Sequence, residues 1–230
     1  MLQLIKLEMK KYNFGWYVKG AIIANMLMPA MICFMFYIAQ IEGDLFVTSY
    51  EQAFELISAM VRMVFIIFAA VLLAKLVIEE YKNRTILILF SYPISRKKII
   101  ASKLLIIGLL TFVTILLSNI FVAGAVFIIN HQFEIISISV TTSEFIKEVI
   151  KMIPLAIAAA GASLIPLYFG MRKYSIPATI ISSFLVVTIA CSNNPEFSTS
   201  AFLPLQLGLA VVGVMIAYYG IRNVEKDDVA

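Results

Sequence analysis

The residues best equipped for chemistry are two adjacent carboxylates, Glu79 and Glu80, followed by Arg84 in the pattern E-E-x-x-x-R, and a separate F-x-x-x-H formed by Phe127 and His131. A glutamate acting as base beside a histidine is a known way to activate water. His131 is the chain's single histidine, so a paired-histidine site is out of reach. Glu144 and Glu148 form an i,i+4 carboxylate pair flanked by Lys147 and Lys151. Without a Cys/His cluster this reads as a solvated helix over about 143–151 and not as a metal centre. Cys33 and Cys191 both lie in apolar runs, as small buried hydrophobes do. There is no phosphate-cradling G-x-x-x-x-G-K-[ST] loop, so the chain is not expected to hydrolyse ATP or hold a cofactor itself.

The elements that must position these groups follow from composition. Of 230 residues, 62% are hydrophobic and 14% charged, and the mean hydropathy is +0.97. Soluble domains run about 45–50% apolar and about 25% charged. A water-soluble fold could not hide so much apolar side chain, which excludes disordered, fibrous and ordinary soluble classes despite a pI near 9.0. Crossing about 30 Å of hydrocarbon takes about 20 apolar residues at 1.5 Å each. Six stretches meet this: 20–40, 56–78, 104–130, 152–171, 175–192 and 202–221. Runs such as Leu104–Phe112 are apolar all round, unlike the alternating strands of a membrane barrel. The expected fold is an all-α membrane protein with six transmembrane helices, a single transmembrane domain over 1–230.

Lys and Arg in short loops set orientation. With the N-terminus inside, fifteen basic residues fall inside and three outside, while Glu42, Asp44, Glu51, Glu55, Glu134, Glu144, Glu148 and Glu196 fall outside. Both termini are therefore expected in the cytoplasm. No cleavable signal peptide is expected, because twenty residues precede the first apolar run and no small-residue cleavage site follows. A bacterial plasma membrane is the simplest location.

Between the spans, Leu2, Ile5, Met9, Tyr12 and Trp16 form a helical stripe, with Lys6, Lys10 and Lys11 off it. This predicts an interfacial helix over 1–17, its lysines on anionic headgroups and Trp16 at interface depth. Arg62 and Lys75 lie inside the second span. A charge there is costly, so each is expected either to snorkel to its nearer helix end or to line a pathway, Lys75 with Glu79 one turn on. Ala156–Ser163 is a small-residue packing face, within one chain or between two. Pro29, Pro154, Pro166 and Pro177 predict kinks.

The inner loop 79–98 is more organised than a topology signal requires. A short apolar segment, Ile86–Phe90, is broken by Ser91-Tyr92-Pro93, and Ser95 stands where it would cap a new helix carrying Arg96, Lys97 and Lys98. The stretch Glu79/Glu80, Asn83-Arg84-Thr85, Leu89, Ser91, Pro93-Ile94-Ser95-Arg96, Ile99 and Lys103 resembles the loop between spans two and three of type-2 ABC exporter permeases. That family's pattern runs E, then N-G-T, then L-x-S-x-P-x-S-R, then I and K. Arg84 departs from it, standing where the family has Gly. The resemblance implies six spans, both ends inside, an N-terminal surface helix and a coupling helix at about 81–92. That helix would dock on a separate ATPase subunit, and Glu79, Glu80, Arg84, Ser91, Pro93, Ser95, Arg96 and Lys97 would serve coupling to it. It further implies that ATP and Mg are bound by that partner, and that a second permease chain, identical or paralogous, completes the pathway. The substrate class it suggests is amphipathic: a peptide, or else a lipid or drug.

E-E-x-x-x-R and F-x-x-x-H also resemble parts of the intramembrane CAAX-type proteases. That reading needs Glu79 or Glu80 beside His131, yet the spans place them at opposite membrane faces. A membrane anchor that recruits a cytosolic protein through the basic loop is the other alternative.

Overall fold

The structure is a computed structural model, and it describes residues 14–42, 50–83, 95–133, 142–191, 193–194, 197–198 and 203–223. Residues 1–13 of the expected surface helix, with Lys6, Lys10 and Lys11, lie outside these residues, as do Arg84, Ser91 and Pro93 and most of the expected coupling helix. Trp16, Arg96 and His131 are placed in helices, but their side chains are outside the description.

The described elements are α1 (Phe14–Glu42), α2 (Tyr50–Leu73), a π-helical segment (Ala74–Ile78), α3 (Glu79–Lys82), α4 (Arg96–Phe133), α5 (Thr142–Ala162), α6 (Pro166–Lys173), α7 (Ile176–Ala190), β1 (Asn193–Asn194), β2 (Phe197–Ser198) and α8 (Leu203–Asn223). Five helical stretches are long and apolar enough to cross a membrane, and α7 is a shorter apolar helix. The six-helix expectation fits this arrangement. α7 has 15 residues, about 22 Å of rise, and the short antiparallel pair β1–β2 follows it.

α2, the π segment and α3 form one rod of about 50 Å through the middle of the bundle. Val61, Ile66, Ala69, Leu72, Leu73 and Ile78 on it are completely buried. Elsewhere the outside is greasy: Ile23, Leu27, Leu109, Leu117, Ile128 and Ile181 are each at least 60% exposed, the surface expected where lipid is the solvent. Apolar burial cannot by itself drive helices together in lipid, so close backbone approach does more of the work. At the α5–α8 crossing a Cβ on Gly213 would lie 2.1 Å from the Gly161 carbonyl oxygen, and one on Gly161 would lie 2.7 Å from the Ala210 Cβ. The small-residue face of 156–163 thus packs within the chain, against α8.

One expectation changes. The solvated helix over 143–151 is not separate, because it is the first half of α5 and continuous with the fourth span. That span is itself broken: Ser163–Ile165 form a turn, and Pro166 opens α6 at its first position, where a missing N–H costs nothing. Pro154, by contrast, sits inside continuous helix. Ser175 caps α7, accepting from the Ala178 amide at 3.4 Å.

Candidate functional site

Charged and polar side chains gather at the two ends of the central rod. At one end, α3 leads into the 84–94 stretch and α4 leads out of it. Glu80 on α3 and Lys103 on α4 form an ion pair, with side chains 6% and 1% exposed. Lys103 Nζ also donates to the carbonyl oxygen of Leu76 at 3.0 Å, inside the π segment. There the backbone bonding has slipped by one residue, the Glu79 amide reaching the Ala74 carbonyl. Such π segments occur often at functional sites. The roots of the loop are therefore clamped together by a buried charge pair.

Lys75 and Glu79 pair on the outside of the same turn at 2.7 Å, Lys75 being 51% exposed. Both interact electrostatically with Tyr17 of α1, whose ring meets Phe68 edge-on at 6.2 Å. Tyr81 stacks on Tyr174, ring centroids 5.7 Å apart and planes at 18°. Tyr174 closes α6 in the left-handed region, at φ 45°, a conformation costing a non-glycine residue about 1 kcal/mol or more. α1, α3, α4 and the α6–α7 corner are thus joined around the loop's exit and entry.

Of the eight residues expected to serve coupling, Glu79 is part-exposed at this end. Glu80 is not available for docking, since its carboxylate is committed to Lys103 inside the bundle. Glu80 is thus held inside the bundle and not on its surface. Ser95 is exposed immediately before α4, its carbonyl accepting from the Lys98 amide at 2.9 Å. α4 begins at Arg96 and continues through Lys97.

At the other end, Glu51, Glu55, Ser58 and Arg62 succeed one another at spacings of 4, 3 and 4 on α2. That period places them on one helix face, a polar stripe running from the helix start into the bundle. Arg62 does not snorkel. It is 1% exposed, its Nη1 donates to Gln206 Oε1 on α8 at 2.9 Å, and its Nε donates to the Ser58 carbonyl at 3.1 Å. Glu55 and Cys191 lie close enough to interact with it electrostatically. Lys75 has an exposed head and pairs with Glu79. In the sequence Glu51 and Glu55 read as outer loop charge, and only their helical spacing to Arg62 signals the stripe.

Glu148, expected in solvent, is 8% exposed. It accepts from Lys151 at 2.5 Å, and Lys151 also reaches Glu51 at 3.6 Å. These groups border a cavity of about 380 Å³ between α2, α5 and the start of α8.

The water-activation pairing fails on geometry. Lys103, in contact with Glu80, and His131 stand about 42 Å apart along the single helix α4. Among the described residues no three His, Cys, Asp or Glu residues cluster to hold a metal.

Residues 4–190 match the family described as "ABC-2 family transporter protein". Uncharacterized protein YcbO of Bacillus subtilis (strain 168) is 45% identical over 227 residues, covering 99% of this chain and 100% of that protein. No solved structure matches the chain at a significant level. A family match over most of the sequence, a full-length relative and several membrane-length helices lead to one conclusion: the chain belongs to the ABC-2 family of transporter membrane proteins and is a multi-pass integral membrane protein.

Proposed function

We propose that this chain is the permease subunit of an ATP-driven ABC exporter in a bacterial plasma membrane, moving an amphipathic substrate, a peptide in preference to a lipid or drug. The ABC-2 family implies an ABC ATPase partner, and in this reading that partner binds ATP and Mg and docks beneath the loop 79–98. The Glu80–Lys103 end faces the cytoplasm, as the basic residues require, and a second permease chain completes the pathway.

The observation that carries the reading is the clamp between Glu80 and Lys103. A loop pushed by a docked protein transmits force only if its roots are fixed to the spans. Here both roots are locked to each other and to the π segment of the central rod, so displacement of the loop must tilt α2 and α4 together. Rigid-body movement of packed helices around such a point is one established form of switching.

The test is purification in mild detergent from cells producing the chain at native level. Recovery of a soluble ABC ATPase, whose hydrolysis changes when the permease is added back in nanodiscs, is the expected result. A chain that purifies without an ATPase, yet retains another cytosolic protein through the loop, would replace the reading with an anchoring role.

A further inference from the structure

α6 packs against the last turns of α8, and the two helices leave a groove of about 410 Å³ between them. That volume falls within the range of roughly 300–1,000 Å³ usual for small-molecule pockets. Its apolar lining is Leu167 and Met171 of α6 and Ile216 of α8. Tyr168 and Tyr219 also line it, and both are exposed. The one charged residue on it is Arg172, in the last turn of α6. Tyr174, two positions further, stacks on Tyr81 of α3, the neighbour in sequence of the clamped Glu80. The groove is therefore level with the roots of the 79–98 loop, at the face that the basic residues place in the cytoplasm.

The charge around the groove has one sign. Neither α6 nor α8 contains an acidic residue, whereas Arg172, Lys173 and Arg222 all fall in their last turns. Arg172 and Arg222 are exposed. Phe169, Met215 and Tyr218 on the same two helices are exposed as well, a greasy surface of the kind that meets lipid, with tyrosines where headgroups lie. Gly220 keeps the groove open: a Cβ there would already stand 3.5 Å from Leu167 Cδ2, so a longer side chain would fill the space. An occupant must therefore carry negative charge at the membrane surface and an apolar body below it.

From this juxtaposition we infer that the groove between α6 and α8 is a binding site for an anionic phospholipid of the cytoplasmic leaflet. Its phosphate sits on the Arg172 guanidinium, and an acyl chain lies along Leu167, Met171 and Ile216. A guanidinium presents paired donors that match phosphate oxygens, and tyrosine hydroxyls can donate beside it. Basic pockets between spans at this face are a recurring form of headgroup site. A phosphodiester with an uncharged headgroup balances the single cation lining the groove, whereas a choline or free amine would bring a like charge towards it. Such a lipid would brace α6, which is only 8 residues long, against α8. The site does not depend on the permease reading.

The experiment is native mass spectrometry of the full-length chain in mild detergent, offered equal amounts of phosphatidylglycerol, phosphatidylcholine and diacylglycerol with matched acyl chains. Phosphatidylglycerol adducts should exceed each competitor by at least about tenfold, as a charge-assisted contact allows. That preference should vanish in Arg172→Gln and persist in Lys19→Gln, which removes an exposed cation near the inner end of α1. Gly220→Leu should abolish uptake with Arg172 still in place. Equal uptake of the three lipids, a preference that survives Arg172→Gln, or an equal fall in Lys19→Gln would overturn the inference. The competition in the wild-type protein decides the matter even if a variant fails to fold. A groove covered by protein would overturn it too. A second copy there would appear as a dimer that excludes the lipid. Occupation by the chain's own acidic residues Glu225, Asp227 and Asp228, which follow α8 in the sequence, would appear as lipid uptake only after they are neutralised.

Discussion

Glu80 and Lys103 lie 23 positions apart, on either side of a long loop, and still meet as a buried ion pair. Taking two charges out of water is expensive, and removing one of them leaves the other stranded at a cost of about 3–5 kcal/mol. Glu80→Gln or Lys103→Met alone should therefore lower the thermal midpoint sharply in detergent. Glu80→Leu combined with Lys103→Leu should recover most of that stability, because an apolar pair of similar volume is often neutral or better. The recovered protein should still transport poorly. Fluorescence-detected thermal unfolding of the three variants checks the first part, and transport in vesicles the second.

Arg62 and Gln206 offer a second pair, joining the middle of α2 to α8 at 2.9 Å. Hydrogen bonds to charged groups contribute roughly 1.5–3 kcal/mol, so Gln206→Leu should cost about that much. Arg62→Met removes the charge that Gln206 serves, so the double variant should be more stable than the sum of the single losses predicts, by an interaction energy of about 0.5–3 kcal/mol. Additive losses in a double-mutant cycle would show that the two side chains do not depend on one another.

The contrast between these pairs shows what the sequence could disclose. Apolar stretches are one-dimensional signals, and the all-helical, multi-span character of the fold follows from them. The facing of a charge is a two-dimensional property. Arg62 lies near a helix end, which suggested snorkelling, but its face is shared with Ser58, Glu55 and Glu51 and turns inward to Gln206, a contact 144 positions away. The π segment is equally silent: Ala74–Ile78 is apolar apart from Lys75, and one slipped hydrogen bond leaves no mark on composition. The break before Pro166 was legible because proline cannot continue the ladder. The fate of Glu80 was hidden because nothing in a linear pattern of acids and bases says which of them fold inward.

Gly161 and Gly213 hold α5 and α8 at backbone contact. A methyl at position 213 would sit 2.1 Å from the Gly161 oxygen, and no flexible side chain is there to yield. Gly213→Ala should force the helices apart and cost about 1–3 kcal/mol, the usual penalty for overpacking. Gly208→Ala on the same helix, with nothing within 4 Å of the new Cβ, should be neutral or slightly stabilising. Comparing the two variants by size-exclusion profile and thermal midpoint checks this, since equal behaviour would mean that the two helices do not meet at backbone contact.

The last prediction concerns force transfer. Arg96 and Lys97 open α4, in a first turn where the helix dipole disfavours cations, so their charge is better explained by a partner than by helix stability. Reversing both, Arg96→Glu with Lys97→Glu, should improve the dipole match and leave α4 intact, because Ile99, Ile100 and Lys103 still anchor it in the bundle. ATP hydrolysis by the partner should continue, while transport falls by at least about tenfold, equivalent to 1.4 kcal/mol of lost coupling. Breaking the clamp with Glu80→Gln should produce the same uncoupling by a different route, with the partner still bound. Binding of the ATPase therefore separates the two: weakened in the surface variant, retained in the buried one. Hydrolysis and vesicle transport measured side by side, with pull-down of the ATPase as the third readout, decide whether the loop's surface and its buried roots play these distinct parts. Coupling that survives in both variants would place the path of force elsewhere in the bundle.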